Sequence, residues 1–273
     1  MDQDMRSIVA RMAADRTSGA SELVAEAIEA VRVALRDGTE AAEEVARAIC
    51  EAQPAMASFR NLAAAAAAER GEPGALERFE ARWRRAPAAL ARAAQEALAP
   101  EPGVPLRFVT CSFSGSVLAC LRGIARANPV HVTCGEGRPM LEGRRTAEAL
   151  VAAGIGVEVR TDAAIAGALP GCDGVLVGAD AVTPAWFLNK AGTWQLAAAA
   201  GLAGAAVYVL ATRDKFVDLQ VGDSLRPPDH DPREVWDGAP AGVTVCNPYF
   251  ERVALGLVTA LITDAGVQAG PGG

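Results

Sequence analysis

The 273-residue chain is poor in aromatic side chains (5%), has two histidines and carries no excess of positive charge. Its formal net charge of -7 argues against a nucleic-acid-binding surface as its main business, because such surfaces need clustered Lys and Arg. A local basic pocket for one small phosphate stays open. The six cysteines, Cys50, Cys111, Cys120, Cys134, Cys172 and Cys246, form no CxxC pair. With only His131 and His230 beside them, no zinc-ligand spacing exists, and neither a metal nor a cofactor is expected. GxGxxG and GxxxxGK[ST] are both missing, so neither a dinucleotide nor an NTP site is supported. The longest apolar runs, such as "AAVYVLA", are far too short to cross a bilayer. The start, "MDQDMRSIVARMAADR", lacks the apolar core of a signal peptide. A soluble, cytoplasmic protein without membrane or nucleic-acid partners is the expectation.

What is present is enough apolar residue, 51%, to build a core, and two halves with different patterns. Residues 1–98 read as helices. "SELVAEAIEAVRVALRD" puts Leu23, Ile28, Val31 and Leu35 near one face, with Ser21 as a candidate cap and Gly38 as a stop. Thr39 opens "TEAAEEVARAICEA" in the manner of a capping box. Pro87 should kink or split the helix that begins near Ala75. "APEPGVP", residues 99–105, is the linker candidate. From 106 to 273 short apolar runs alternate with helical ones, the pattern of a parallel sheet covered on both faces. The fold class is therefore α/β: an N-terminal all-helical domain followed by a Rossmann-like doubly wound parallel sheet domain. "VTVCN" reads as a late strand, "FERVALGLVTALITDAG" as a C-terminal helix and "GVQAGPGG" as a disordered tail.

Ligands of open α/β sheets bind beyond the carboxyl ends of the strands, so those ends are where chemistry is sought. They read Thr110 to Ser116, Gly135 to Pro139, Thr161-Asp162, Gly178 to Asp180, and Thr212 to Lys215. Ser114, Gly115 and Ser116 precede a helix whose free amides would welcome a phosphate, or simply cap it. Arg138 could grip phosphate through paired hydrogen bonds, or pair with Glu136 or Glu142. Arg144 and Arg145 read as surface charges. Asp180 ends a buried run, where a carboxylate needs a partner or a task; desolvation there would suit a group that gives and takes a proton. An ion pair with Lys190 is the plainer alternative. Asn189 and Lys190 are placed at the start of the next helix, as a phosphate or hydroxyl grip.

"GADAVTPAWFLNKAGTWQLA" resembles the GAD…NK.GT signature of one family. Its members are the alpha, beta and delta subunits of translation initiation factor 2B, methylthioribose-1-phosphate isomerase and ribose-1,5-bisphosphate isomerase. "GEGRPMLEGRRTAEALVAAGI", "VTCSFSGSVLACL", "VCNPYFERV" and "AQPAMASFRNL" are similar to further segments of that family, in order. The resemblance implies an active-site Asp at Asp180 and a Cys where this chain has Ser112. Cys111 stands where the family usually has His, and Thr183 to Trp186 replace an Asn-Gly pair. Cys111 could stand in for the missing thiol only if the chain turns sharply there, since neighbouring strand residues face opposite ways. The resemblance also implies dimers, to whose interface the C-terminal helix could add. Two functions follow. One is an aldose–ketose isomerase of a pentose 1-phosphate, with Asp180 as acid/base and Ser112 or Cys111 as second group. The other is a non-catalytic subunit or sensor that binds a sugar phosphate or nucleotide.

Overall fold

A computed structural model describes residues 3–15, 19–99 and 101–270. Helices come first: α1 (Gln3–Ala14), α2 (Ala20–Ala34), α3 (Thr39–Ala52), α4 (Ala57–Ala68) and α5 (Ala75–Leu98). Their apolar stripes meet in one core around Met12, Val31, Ile49, Phe59 and Leu62. Gly19, not Ser21, caps α2; its N–H donates to Glu22 Oε2 at 2.8 Å. Gly38, at φ 118°, turns the chain into α3, whose start has no side-chain cap. Pro87 does not split α5, which runs unbroken for 24 residues. That helix joins two cores. Leu76 and Phe79 sit with the helices, whereas Leu90, Ala94 and Leu98 sit with the sheet. Pro100, within the expected linker, lies outside the described residues.

The second half holds β1 (Leu106–Thr110), α6 (Gly115–Ile124), β2 (Val130–Gly135), α7 (Glu142–Val151), β3 (Gly156–Arg160) and β4 (Gly174–Val177). There follow β5 (Ala181–Val182), β6 (Trp186–Lys190), α8 (Thr193–Ala203) and β7 (Val207–Leu210). The short helices α9 (Leu219–Ser224) and α10 (Arg233–Trp236) precede β8 (Phe250–Ala254), β9 (Ala260–Thr263) and β10 (Gly266–Ala269). A 7-stranded sheet has the order β10-β9-β7-β4-β1-β2-β3, and β5-β6-β8 form a small antiparallel sheet. All pairs of the large sheet are parallel except β10 with β9.

Strand alternation divides the buried side chains between two faces. Phe108, Leu176, Leu210 and Ile262 pack under α5, α6 and α7. Val109, Val175, Val177, Val207 and Val209 pack on the other side with Leu196 and Ala200 of α8. Burial on both faces explains why these strands read as continuous apolar runs.

The C-terminal expectations are corrected. "FERVALGLVTALITDAG" is not a helix: it supplies β8, β9 and the turn into β10. Its Val, Ile and Thr residues pair with strands distant in sequence, β9 with β7 and β8 with β6. Thr263 Oγ1 donates to Gly266 O at 2.9 Å, and Gly266 takes φ 116° to close that hairpin. So Gly266–Ala269 of the expected tail is the edge strand, while residues 271–273 lie outside the described residues. "VTVCN" forms no strand, and Val243 is exposed.

Two glycines make opposite demands. A Cβ on Gly143 in α7 would lie 1.8 Å from Gly135 O, where the helix crosses the end of β2. On Gly201 in α8 it would meet nothing within 4 Å. Gly143→Ala should therefore lose at least about 3 kcal/mol of stability by overpacking. Gly201→Ala should gain roughly 0.5–1 kcal/mol from helix propensity. Urea unfolding of both variants checks the pair.

Candidate active site

The parallel order reverses between β1 and β4, the switch point at which such sheets hold their ligands. The chain leaving β1 and the chain leaving β4 together open a cavity of about 450 Å³, within the range of small-molecule sites. Its opposite wall comes from the helical half, with Gln53, Pro54 and Met56. A second hollow of about 480 Å³ between α4, α5 and Arg213-Asp214 is lined by Arg78, Arg82, Glu72 and Asp264. It lies away from the strand-order reversal, and its Asp264 carboxylate is already tied to Arg213, so we place the site in the first.

Local backbone geometry assembles the walls. Ser112 sits at φ 65°, a left-handed conformation that costs a non-glycine residue about 1–2 kcal/mol. This sharp turn brings both Cys111 and Ser112 onto the cavity. Ser114 caps α6, its Oγ accepting from Val117 N at 3.4 Å. Gly115 and Ser116 line the cavity at the helix start, where amides have no intrahelical acceptor. A Cβ on Gly178 would lie 2.5 Å from Ser114 Oγ, so glycine lets the exit of β4 approach α6.

Asp180 sits at the centre. Its N–H donates to Leu188 O at 2.8 Å, and its own carbonyl accepts from Ala57 N at 3.0 Å. The first bond ties it to β6 and the second to the helical half. The carboxyl lines the cavity. Burial pushes it above the ordinary 3.8, and the charges of Lys215 and then Lys190 pull it part of the way back. These two are the only lysines in a chain of 26 basic residues. Both are buried, and both line this cavity. A lysine bears a compact charge on a flexible stem, which fits a narrow wall better than a planar guanidinium. Lys215 escaped the reading of the sequence as a site residue, although its rarity was visible there. It is held by the N-terminal half: Asn61 Nδ2 donates to Asp214 O at 2.6 Å and to Phe216 O at 3.0 Å. Ser58 Oγ donates to Asp214 Oδ2 at 2.6 Å.

Asn189 and Lys190 are not at a helix start, as expected; they end β6, and α8 begins only at Thr193. Both side chains are buried against the site. Asn189 Nδ2 donates to Thr193 Oγ1 at 2.9 Å. Lys190 Nζ lies 4.6 Å from the Tyr249 ring centre and 2.6 Å from Glu142 Oε1. Its ion-pair partner is thus Glu142 rather than Asp180. Ser112 Oγ donates to the same Glu142 oxygen at 3.4 Å. Glu142 was not singled out in the sequence either.

Arg138 is not brought to the cavity. It is exposed, its N–H donates to Asp162 Oδ2 at 2.7 Å, and its guanidinium reaches Glu234 O at 3.5 Å. Arg145 lines the cavity instead, 4.3 Å over the Phe113 ring. Trp186 stacks under Arg252 outside the lining. Cys111 Sγ lies 3.6 Å from Thr193 Oγ1. Burial pushes its thiol up to about 11, with Asp162, Glu142 and Glu251 adding to the rise against the Thr193 hydrogen bond. At pH 7 the thiolate fraction is then on the order of one in ten thousand. Cys111 is present at the site but is not an activated thiol. No helix among the described residues is long and apolar enough to cross a membrane.

Comparison with known proteins agrees with this geometry. The chain is 35% identical over 184 residues to a methylthioribose-1-phosphate isomerase of Exiguobacterium sibiricum, covering 60% of this chain and 53% of that one. It is 36% identical over 168 residues to a 5-deoxyribose 1-phosphate isomerase of Moorella thermoacetica, covering 58% and 48%. The chain thus spans about half the length of the curated relatives it matches. Among solved structures it matches a translation initiation factor eIF-2B of Pyrococcus horikoshii with TM-score 0.83 and 26% identity, over 98% of both chains. The 5-methylthioribose 1-phosphate isomerase of the same organism shares the fold, with TM-score 0.70 and 18% identity over 97% of this chain and 84% of that one. The model of the Initiation factor 2 subunit family matches residues 9–270, and the chain belongs to that family.

Proposed function

We propose that the protein is an aldose–ketose isomerase acting on a pentose 1-phosphate. The 5-substituted sugars named in its relatives, together with ribose 1,5-bisphosphate, are the candidate substrates. The observation that carries this reading is the enclosed Asp180 flanked by Lys190 and Lys215. A sugar 1-phosphate is locked as a ring by its anomeric phosphate. Opening the ring needs a proton for the ring oxygen, and a carboxyl whose hold on its proton is strengthened by burial can supply one. The dianionic phosphate needs fixed positive charge and free amides. Lys190, Lys215 and the start of α6 with Ser114, Gly115 and Ser116 would supply them, and Asn189 would orient a sugar hydroxyl.

A second reading is favoured by the end-to-end likeness to eIF-2B and by the half-buried Cys111, whose thiol is pushed up to about 11. In it the same cavity binds a sugar phosphate or nucleotide as a signal and converts nothing.

Incubation with 5-methylthioribose 1-phosphate, 5-deoxyribose 1-phosphate and ribose 1,5-bisphosphate, followed by NMR, separates the two. The isomerase reading expects a ketose product from at least one of them. Asp180→Asn should then lower kcat by about 100- to 10,000-fold while the variant still binds. Thermal stabilisation without any product favours the signal-binding reading.

The lysines give a prediction free of turnover. Lys215 holds the Asp180 carboxyl down against burial. Removing that charge favours the neutral acid, so the midpoint must move up. A carbon-13 titration of Asp180, assigned through Asp180→Asn, should show a midpoint above 3.8. In Lys215→Met the midpoint should lie higher still; an unchanged or lower one contradicts the arrangement.

A further inference from the structure

An aldose–ketose isomerisation has two tasks for acid and base: one group opens the ring, and another carries hydrogen between C2 and C1. With Ser112 lacking an ionisable thiol and Cys111 held protonated by burial, the second group is missing from the reading above. We propose that Glu142 is that group, the carboxylate that takes the proton from C2 and returns it to C1. The inference rests on the isomerase reading.

Three observations carry it. First, Glu142 lines the same cavity as Asp180 while its side chain is only 14% exposed. Its Oε1 meets Lys190 Nζ at 2.6 Å and Ser112 Oγ at 3.4 Å. Second, its Oε2 is buried and has no hydrogen-bond partner among the described residues. A carboxylate kept only to anchor a lysine would be expected to have both oxygens satisfied. Third, the backbone is strained on its behalf. Among the described residues two non-glycines take left-handed φ, Ser112 at 65° and Leu141 at 58°. One donates to Glu142, and the other stands immediately before it at the start of α7. Such strain persists where surrounding structure enforces it, and it clusters at functional sites.

The chemistry balances on these two carboxyls. Neutral Asp180 gives its proton to the ring oxygen as the C1–O bond breaks and its electron pair goes to that oxygen. The Glu142 carboxylate takes the C2 proton, and the C2–H pair becomes the C1–C2 double bond, which cancels the positive charge left at C1. Glu142 then returns its proton to C1, where the double-bond pair forms the new C–H bond. The O2 proton passes to the Asp180 carboxylate, and its bonding pair makes the C2 carbonyl. Both carboxyls end as they began, and no oxidant or reductant is consumed. The bound phosphate competes for Lys190, which frees Glu142 Oε1 to face the substrate. Ser112 is the positioning residue, its hydroxyl aimed at that oxygen.

The test uses whichever of the three sugar phosphates the wild-type protein converts. Glu142→Gln keeps the shape and an amide toward Lys190 but cannot take a proton. It should lower kcat by about 100- to 10,000-fold with KM within about threefold. Glu142→Asp should recover at least about tenfold over it. Wild-type turnover in D2O should leave deuterium on C1 of part of the product, to the extent that the proton on Glu142 exchanges with solvent before it returns. The proposal is overturned if Glu142→Gln keeps kcat within about threefold of wild type. It is also overturned if binding and turnover collapse together with no recovery in Glu142→Asp. Wild-type protein that converts none of the three overturns the isomerase reading and this proposal with it. Wild-type turnover with an unaffected Glu142→Gln overturns this proposal alone.

Discussion

The structure around the cavity is organised by one electrostatic fact: a half-buried carboxyl lies beside two buried ammonium groups. Burial pushes the Asp180 carboxyl upward, and Lys215 and Lys190 temper that shift without removing it. The two lysines are in turn restrained, Lys190 by Glu142 and Lys215 by the Asn61 and Ser58 contacts to its neighbours. A site wired this way gathers Lys190, Lys215 and Arg145 around one cavity, with acids set among them.

The fold supplies the positions. A doubly wound sheet leaves a crevice where its strand order reverses, and here β1 and β4 flank that crevice. Close approach at its floor depends on Gly178, and the turn at Ser112 aims two consecutive side chains into one space. The helical half is part of the site rather than an appendage. Ala57 holds the Asp180 backbone, Asn61 holds the Lys215 segment, and Gln53, Pro54 and Met56 form a wall. These residues belong to the weakest stretch of sequence resemblance, "AQPAMASFRNL", which acquires a physical meaning once its contacts are seen.

Much of this was legible in the sequence because the relevant signals are local. Short β-branched runs such as "GVLV" and "VYVL" are buried on both faces, so they stand out from the helical periodicity between them. The strand-end rule led to Asp180, Ser112 and Ser114–Ser116. Asn189 and Lys190 line this cavity from β6 rather than from a helix start, because β6 is defined by pairing with β5 and β8 rather than by its own pattern. The C-terminal segment was misread for the same reason: its apolar residues fit either period, and distant strands decide. Arg138 was drawn away by a backbone bond to Asp162, 24 residues along the chain. Lys215 had a signal in its rarity. Glu142 had none, being one of 33 acidic residues, and only tertiary contact distinguishes it.

The most direct test of the central claim is a crystal structure of the protein with 5-deoxyribose 1-phosphate. The account predicts the phosphate against Lys190 and the first amides of α6, with the ring oxygen within hydrogen-bond reach of Asp180. A phosphate bound instead in the arginine-lined hollow beside α5, with the cavity between Lys190 and Lys215 empty, would contradict it.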